Sequence, residues 1–264
     1  MLEDVRAVLL DIDGVLTVSW KALPGAVEAY DALRAAGLEV ALVTNTTSRT
    51  RAAIGDALRE AGFAVGDEQI VTAPIATAAY LAEHHPGARC LLVSSGDVAA
   101  DLAGVRLAGP EESEIDVVLV GGGGPEIDYA ALNRALAALH DGAALVAMHR
   151  SMYWRTDAGL QLDAGAFVAA LEAAADVEAV VVGKPARGLF EAALATLCAG
   201  AGEAVMVGDD LDSDVLAAQT LGLTGVLVRT GKFRPEVLER SADAPDAVLE
   251  SVADLPGWLR RSEG

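Results

Sequence analysis

Two aspartates one residue apart close an apolar run near the start of the chain, in Leu9-Leu10-Asp11-Ile12-Asp13-Gly14-Val15-Leu16. Strand alternation would send Asp11 and Asp13 to one side, with Gly14 allowing a sharp exit. Paired carboxylates repel unless a cation or a shared proton relieves them, an arrangement that suits a nucleophile beside an acid/base with a metal between nucleophile and substrate. A turn that merely favours Asp and Gly is the plainer alternative. A second stretch, Val43-Thr44-Asn45-Thr46, offers a hydroxyl and backbone amides ahead of a helix expected to start near Ser48. Such groups hold phosphoryl oxygens, or serve as ordinary helix caps. In Val181-Val182-Gly183-Lys184-Pro185 a lysine follows an apolar run between residues that fix its direction, so its ammonium suits neutralising an aspartate and a phosphate; a surface-loop lysine is the other reading. The last stretch, Met206 to Asp214, carries acids at Asp209, Asp210, Asp212 and Asp214 after a strand-like run. Unless the loop is simply solvated, their repulsion calls for a cation, and ligands that are all oxygen point to Mg2+ rather than Zn2+.

The elements that must hold these residues alternate between short β-like runs and Ala- and Leu-rich amphipathic segments, the pattern of an α/β protein with a parallel sheet. Val5–Leu10, Glu39–Val43, Ala204–Val207 and Gly225–Val228 read as buried strands, and the first three end in the stretches just described. In a doubly wound parallel sheet, ligands gather at the carboxyl ends of strands near the point where strand order reverses, so these ends predict one shared site. The middle of the chain repeats the alternation, with strands at Cys90–Val93, Asp116–Val120 and Ala144–Met148 and helices around Asp128–His140 and Ala164–Ala174. It reads as a second α/β unit, residues 76–180, inserted into a Rossmann-like core formed by residues 1–75 and 181–264. Gly121–Gly124 lacks the Lys-Ser/Thr ending of a phosphate loop and is expected to form a tight turn.

Composition narrows the partners. The formal charge of −20 over 264 residues argues against nucleic acid and anionic membranes, which need clustered Lys and Arg. A phosphate dianion would be repelled by the same surface, so a phosphoryl site has to bring its own positive charge, which a divalent cation and one buried lysine would supply. No apolar run approaches the ~20 residues of a membrane helix, and an acidic start is unlike a secretory signal. The two cysteines, Cys90 and Cys198, lack metal-ligand spacing and are expected to be apolar fillers in a reduced, cytoplasmic setting.

The four stretches, in this order, resemble those of the haloacid dehalogenase superfamily, and the 140 positions between Thr44 and Lys184 resemble its large-cap subfamily IIA, the NagD-like group. Met152–Leu160, Gly208–Asp210 and Arg229–Pro235 are similar to the branch of the phospholysine phosphohistidine inorganic pyrophosphate phosphatases and their haloacid dehalogenase-like domain relatives. The resemblance spans essentially the whole chain. It implies a hydrolase with Asp11 as nucleophile and metal ligand and Asp13 as acid/base giving Mg2+ its backbone carbonyl. Thr44 and Asn45 would hold the phosphoryl group, Lys184 would order nucleophile and phosphate, and Asp209 would bind the metal with support from Asp210 or Asp214. The inserted unit becomes a cap whose loop from His149 to Asp163 contacts substrate, with His149, Arg150, Tyr153, Trp154, Arg155 and Gln161 as candidates; Tyr153 and Trp154 would otherwise cover a hinge or dimer seam. Cap-mediated homodimers occur among similar proteins, yet no residue pattern here demonstrates one. Expected substrates are small phosphorylated metabolites, with pyrophosphate and N–P compounds as the alternative. A carbon–halogen hydrolase and a non-catalytic phospho-ligand-binding protein are the rivals.

Overall fold

The computed structural model describes residues 5–124, 126–156 and 159–261. In chain order the strands are β1 (Ala7–Asp11), β2 (Thr17–Val18), β3 (Lys21–Ala22), β4 (Glu39–Thr44), β5 (Ile70–Thr72), β6 (Arg89–Val93), β7 (Arg106–Leu107) and β8 (Val117–Val120). They continue with β9 (Ala144–Ala147), β10 (Tyr153–Thr156), β11 (Gly159–Leu162), β12 (Val180–Val181), β13 (Ala204–Gly208), β14 (Thr224–Val228) and β15 (Ala247–Leu249). Contacts divide the chain into two compact units. One holds residues 1–44, 51–71 and 184–264, the other 45–50 and 72–183. The second therefore reaches a few residues beyond a 76–180 insertion at each end, and it also takes in the short segment that follows β4.

In the first unit the sheet runs β15-β14-β13-β1-β4-β5, with β15 through β4 paired parallel. Every residue of β1 and β13 is buried, which explains why both read as unbroken apolar runs rather than alternating ones. Val8, Leu10, Val40, Leu42, Val205 and Val207 share one core with Tyr30 and Leu33 of the helix Ala26–Ala35. From β1 the chain steps outward to β4 and β5 and returns to β13 on the other side of β1. Strand order thus reverses between β1 and β13, leaving a crevice at their carboxyl ends.

The second unit repeats the principle with a parallel sheet ordered β12-β9-β8-β6-β7 and an antiparallel hairpin of β10 and β11. Its helices Tyr129–His140 and Ala164–Ala175 start at aspartates: the Asp128 carboxylate accepts from the Ala131 N–H at 2.8 Å, and that of Asp163 from the Ala164 N–H at 2.8 Å. Among the described residues no helix is long and apolar enough to cross a membrane.

Two local expectations are corrected. The helix foreseen near Ser48 begins at Arg51. Cys90 is buried as a filler should be, but Cys198 is exposed, because it ends the helix Arg187–Leu197 in a left-handed conformation (φ 50°) that turns it away from the core.

Candidate active site

The β1 run delivers Asp11 at its last residue, and there the alternation ends. Leu16 and Thr17 N–H groups both donate to the Ile12 carbonyl, at 3.0 and 2.9 Å, and Gly14 takes φ +96°. The chain has left the strand before Asp13, so Asp13 is exposed while Asp11 is 5% exposed. A common face set by strand alternation is therefore not what relates the two carboxylates. One strand over, β13 ends at Gly208 and is followed by Asp209 and a π-helical turn, Leu211–Leu216, that carries Asp214. A side chain on Gly208 would overlap Asp214, so glycine is needed for that turn to fold back. Thr44, buried, closes β4, whose Val43 stands opposite Asp11.

Lys184, 6% exposed, donates to Asp11 Oδ1 at 2.5 Å and lies 2.8 Å from Asp214 Oδ1. Asp11, Asp209 and Asp214 each offer a carboxylate oxygen, all within 4.8 Å of one another. The electrostatics are strained in a consistent direction. Burial, then the charge of Asp11, pushes the Asp209 carboxyl upward, and burial raises Asp214 even against its lysine partner. For Lys184 burial works against the charged form, but the two carboxylates outweigh it and hold the ammonium charged.

Asp209 shows what kind of ion the cluster suits. Its Oδ2 accepts from the Lys232 backbone N–H at 2.6 Å and is walled in by Gly14 and Gly231, where any side chain would overlap it. Its Oδ1 is buried without a hydrogen-bond partner. A buried, unpartnered oxygen on a carboxylate clustered with two others fits a hard divalent cation, and a donor set made only of oxygens matches that ion class.

The two supporting acids separate cleanly. Asp214 belongs to the cluster, whereas the Asp210 carboxylate is spent on the turn, accepting from the Asp212 and Ser213 N–H groups at 3.1 and 3.0 Å. Candidates on the second unit fare differently. His149 is 3% exposed, its Nε2 lies 3.3 Å from Thr47 Oγ1 and its Nδ1 accepts from the Ser151 N–H, so it is an internal residue where a substrate contact was expected. Arg150 is tied to Glu172 by two hydrogen bonds, at 2.8 and 2.5 Å, so its charge is already matched. Tyr153 is 62% exposed on β10. The side chains of Trp154 and Arg155 lie outside the described ones. Gly121–Gly124 is an irregular segment past β8 where a tight turn was expected, and its Gly123 N–H donates to Asp163 Oδ1 at 3.0 Å.

Linear reading missed Thr230, Gly231 and Lys232. The Thr230 hydroxyl donates to the Gly14 carbonyl at 2.5 Å, bringing this loop onto the first one. The Lys232 ammonium is raised by Asp11 and Asp209 against the opposing effect of desolvation. The stretch Arg229–Pro235 stood out only as a likeness, and no spacing rule ties residue 230 to residue 14.

The chain is similar to known proteins over nearly its whole length. The sequence pattern of the family described as haloacid dehalogenase-like hydrolase matches residues 8–108, and a second, HAD-hydrolase-like, matches residues 181–255. Haloacid dehalogenase-like hydrolase domain-containing protein 2 of Rattus norvegicus is 38% identical over 247 residues, covering 94% of this chain and 93% of that protein. Phospholysine phosphohistidine inorganic pyrophosphate phosphatase of Xenopus laevis is 36% identical over 266 residues, covering 98% and 96%. Among solved structures, p-nitrophenyl phosphatase from Archaeoglobus fulgidus superimposes with a TM-score of 0.89 at 30% identity, over 97% of this chain and 99% of that one.

Proposed function

The chain belongs to the haloacid dehalogenase-like hydrolases, and from that membership we propose that it is a Mg2+-dependent phosphatase that hydrolyses a small phosphorylated metabolite through an aspartyl phosphate on Asp11. The observation that carries this reading is the buried Asp11 carboxylate, ordered by Lys184 at 2.5 Å beside an Asp209 oxygen that has no partner. A carbon–halogen hydrolase would need no such acidic cluster. Names of similar proteins support phosphate esters first and pyrophosphate or N–P compounds second.

In the proposed reaction Asp11 attacks phosphorus in line. The new bond is Asp11 oxygen to phosphorus, and the bond to the leaving oxygen breaks. Lys184 holds Asp11 in place and absorbs charge on the phosphoryl oxygens. Thr44 and Asn45 hold that group from the end of β4. Asp13, exposed and able to exchange protons, donates one to the leaving oxygen. As a carboxylate it then takes one from the water that splits the aspartyl phosphate, releasing inorganic phosphate and free Asp11. Asp11, Asp209 and the Asp13 carbonyl would hold the cation, with Asp214 in support; when bound, it offsets the negative charge that carboxylates and phosphate bring together.

A phosphate-release assay over a panel of phosphorylated metabolites with Mg2+ tests the proposal, and silence across the whole panel would refute it. For Asp13→Asn, slowing of roughly 100-fold or more is expected with alkyl phosphates. p-Nitrophenyl phosphate should suffer least, since its leaving group hardly needs a proton; equal losses on both would remove Asp13 from that role. Adding Mg2+ to chelator-treated protein is expected to raise Tm, because binding to the folded state alone stabilises by about 2.7 kcal/mol at a hundred times Kd. A Tm indifferent to Mg2+ would speak against a cation at this cluster.

A further inference from the structure

In the second unit too the strand order reverses: the chain leaves β6 for β7 on one side and returns to β8 on the other. The carboxyl ends at such a point are where an open α/β sheet takes a ligand. Here a piece of the chain itself lies against them. Segment 45–50 groups with this unit, and a side chain on Gly122, just past β8, would overlap Thr47 Oγ1. Past β6, a Cβ on Gly96 would lie 3.5 Å from the Ser48 carbonyl oxygen and 3.6 Å from that of Thr47. Past β9, His149 Nε2 lies 3.3 Å from Thr47 Oγ1, and both residues are buried.

The tautomer follows from the backbone. Because the Ser151 N–H donates to Nδ1, that nitrogen carries no proton, and the neutral ring presents Nε2–H to the Thr47 hydroxyl. Burial keeps the ring neutral, lowering its pKa against the opposing charge of Asp163, which lies 3.8 Å from Nε2. Asp163 is anchored in turn by the Gly123 and Ala164 N–H groups. The neighbouring residues are packed just as closely. Gly183 donates its N–H to the Met148 carbonyl at 2.9 Å, and a Cβ on Gly183 would sit 2.6 Å from Asn45 Oδ1. Asn45 directly follows Thr44, and Gly183 directly precedes Lys184.

We infer that the His149–Thr47 contact is a positioning device for phosphate capture: it fixes segment 45–50 and with it Asn45, one of the two residues proposed to hold the phosphoryl group. The inference rests on the role given to Asn45 above. His149 and Thr47 touch neither substrate nor reacting atoms; they act through the residues beside them.

Thr47→Val removes the hydroxyl with little change of shape, and His149→Leu removes the ring donor. Thr47→Ser and His149→Gln keep the respective groups. Thr47→Val and His149→Leu are each expected to raise KM for p-nitrophenyl phosphate, and to weaken inorganic phosphate binding measured by calorimetry in Mg2+, by roughly tenfold or more. The conservative variants should stay close to the parent protein, and Mg2+ affinity should not move, since no carboxylate of the cluster is altered. Phosphate binding unchanged in both Thr47→Val and His149→Leu would overturn the inference, as would Mg2+ affinity falling in step with it, the mark of general loosening. Calorimetry reads the result without turnover, so a parent protein that bound phosphate but released none would count against the catalytic reading alone.

Discussion

Asp11→Asn is expected to stop turnover while leaving the protein folded. The amide is nearly the same size as the carboxylate and can still accept from the Lys184 ammonium, so the 2.5 Å contact can persist. What disappears is the anionic oxygen proposed to form the bond to phosphorus, and loss of a nucleophile costs on the order of 10⁴-fold or more in kcat. Folding should suffer little for a second reason. Asp11 adds its charge to a cluster where burial and like charge already raise Asp209 and Asp214, so removing one negative charge relieves some repulsion as it weakens one ion pair. Phosphate release and thermal unfolding measured side by side decide the matter. Turnover within a few-fold of the parent would dismiss Asp11 as nucleophile, and a collapse of Tm would show that its charge is structural.

Lys184→Met should have the opposite balance, damaging stability as well as rate. Lys184 is the buried cation facing both Asp11 and Asp214, and methionine fills similar space without charge. Breaking a buried ion pair from one side leaves uncompensated charge and typically costs about 3–5 kcal/mol. In a chelator the variant should therefore unfold many degrees below the parent. Mg2+ should restore part of that loss, since a cation at the cluster compensates the same carboxylates, but it should not restore kcat. Loss of the ammonium's charge stabilisation is expected to slow turnover by roughly 100-fold or more. A Lys184→Met protein as stable as the parent without metal would mean that the carboxylates are relieved in some other way. Full recovery of kcat by Mg2+ would remove Lys184 from the chemistry.

The second unit offers a smaller test of substrate choice. Its hairpin exposes Met152, Tyr153 and Leu162. Tyr153→Ala is expected to change the ranking of substrates in a metabolite panel several-fold without altering Mg2+ binding. An unchanged ranking would take Tyr153 out of substrate selection.

How much of this was legible in the chain depends on the distance over which each feature is written. Asp11, Thr44, Lys184 and Asp209 each stand at the end of an apolar run, and a run with its turn is a local signal carried by a few consecutive side chains. The parallel sheet was legible for the same reason: strands buried on both faces read as nearly continuous apolar runs, and β1, β4, β13 and β14 do so apart from polar residues at their ends. Where local rules failed, a backbone detail intervened. The chain turns before Asp13, so alternation says nothing about its direction, and Cys198 leaves the core because a helix ends there in a left-handed residue.

Residue types and short spacings thus sufficed for the fold class, for the apolar strands and for most of the charged groups that meet at the site. Only folding decided that Asp214 rather than Asp210 joins the carboxylates, that Asp209 is held by a loop containing Lys232, and that His149 turns inward onto Thr47. Those outcomes come from contacts between residues 173 positions apart for Lys184 and Asp11 and 102 apart for His149 and Thr47. Close packing, which admits one arrangement of side chains and excludes its near neighbours, selects them, and no local pattern along the chain encodes that selection.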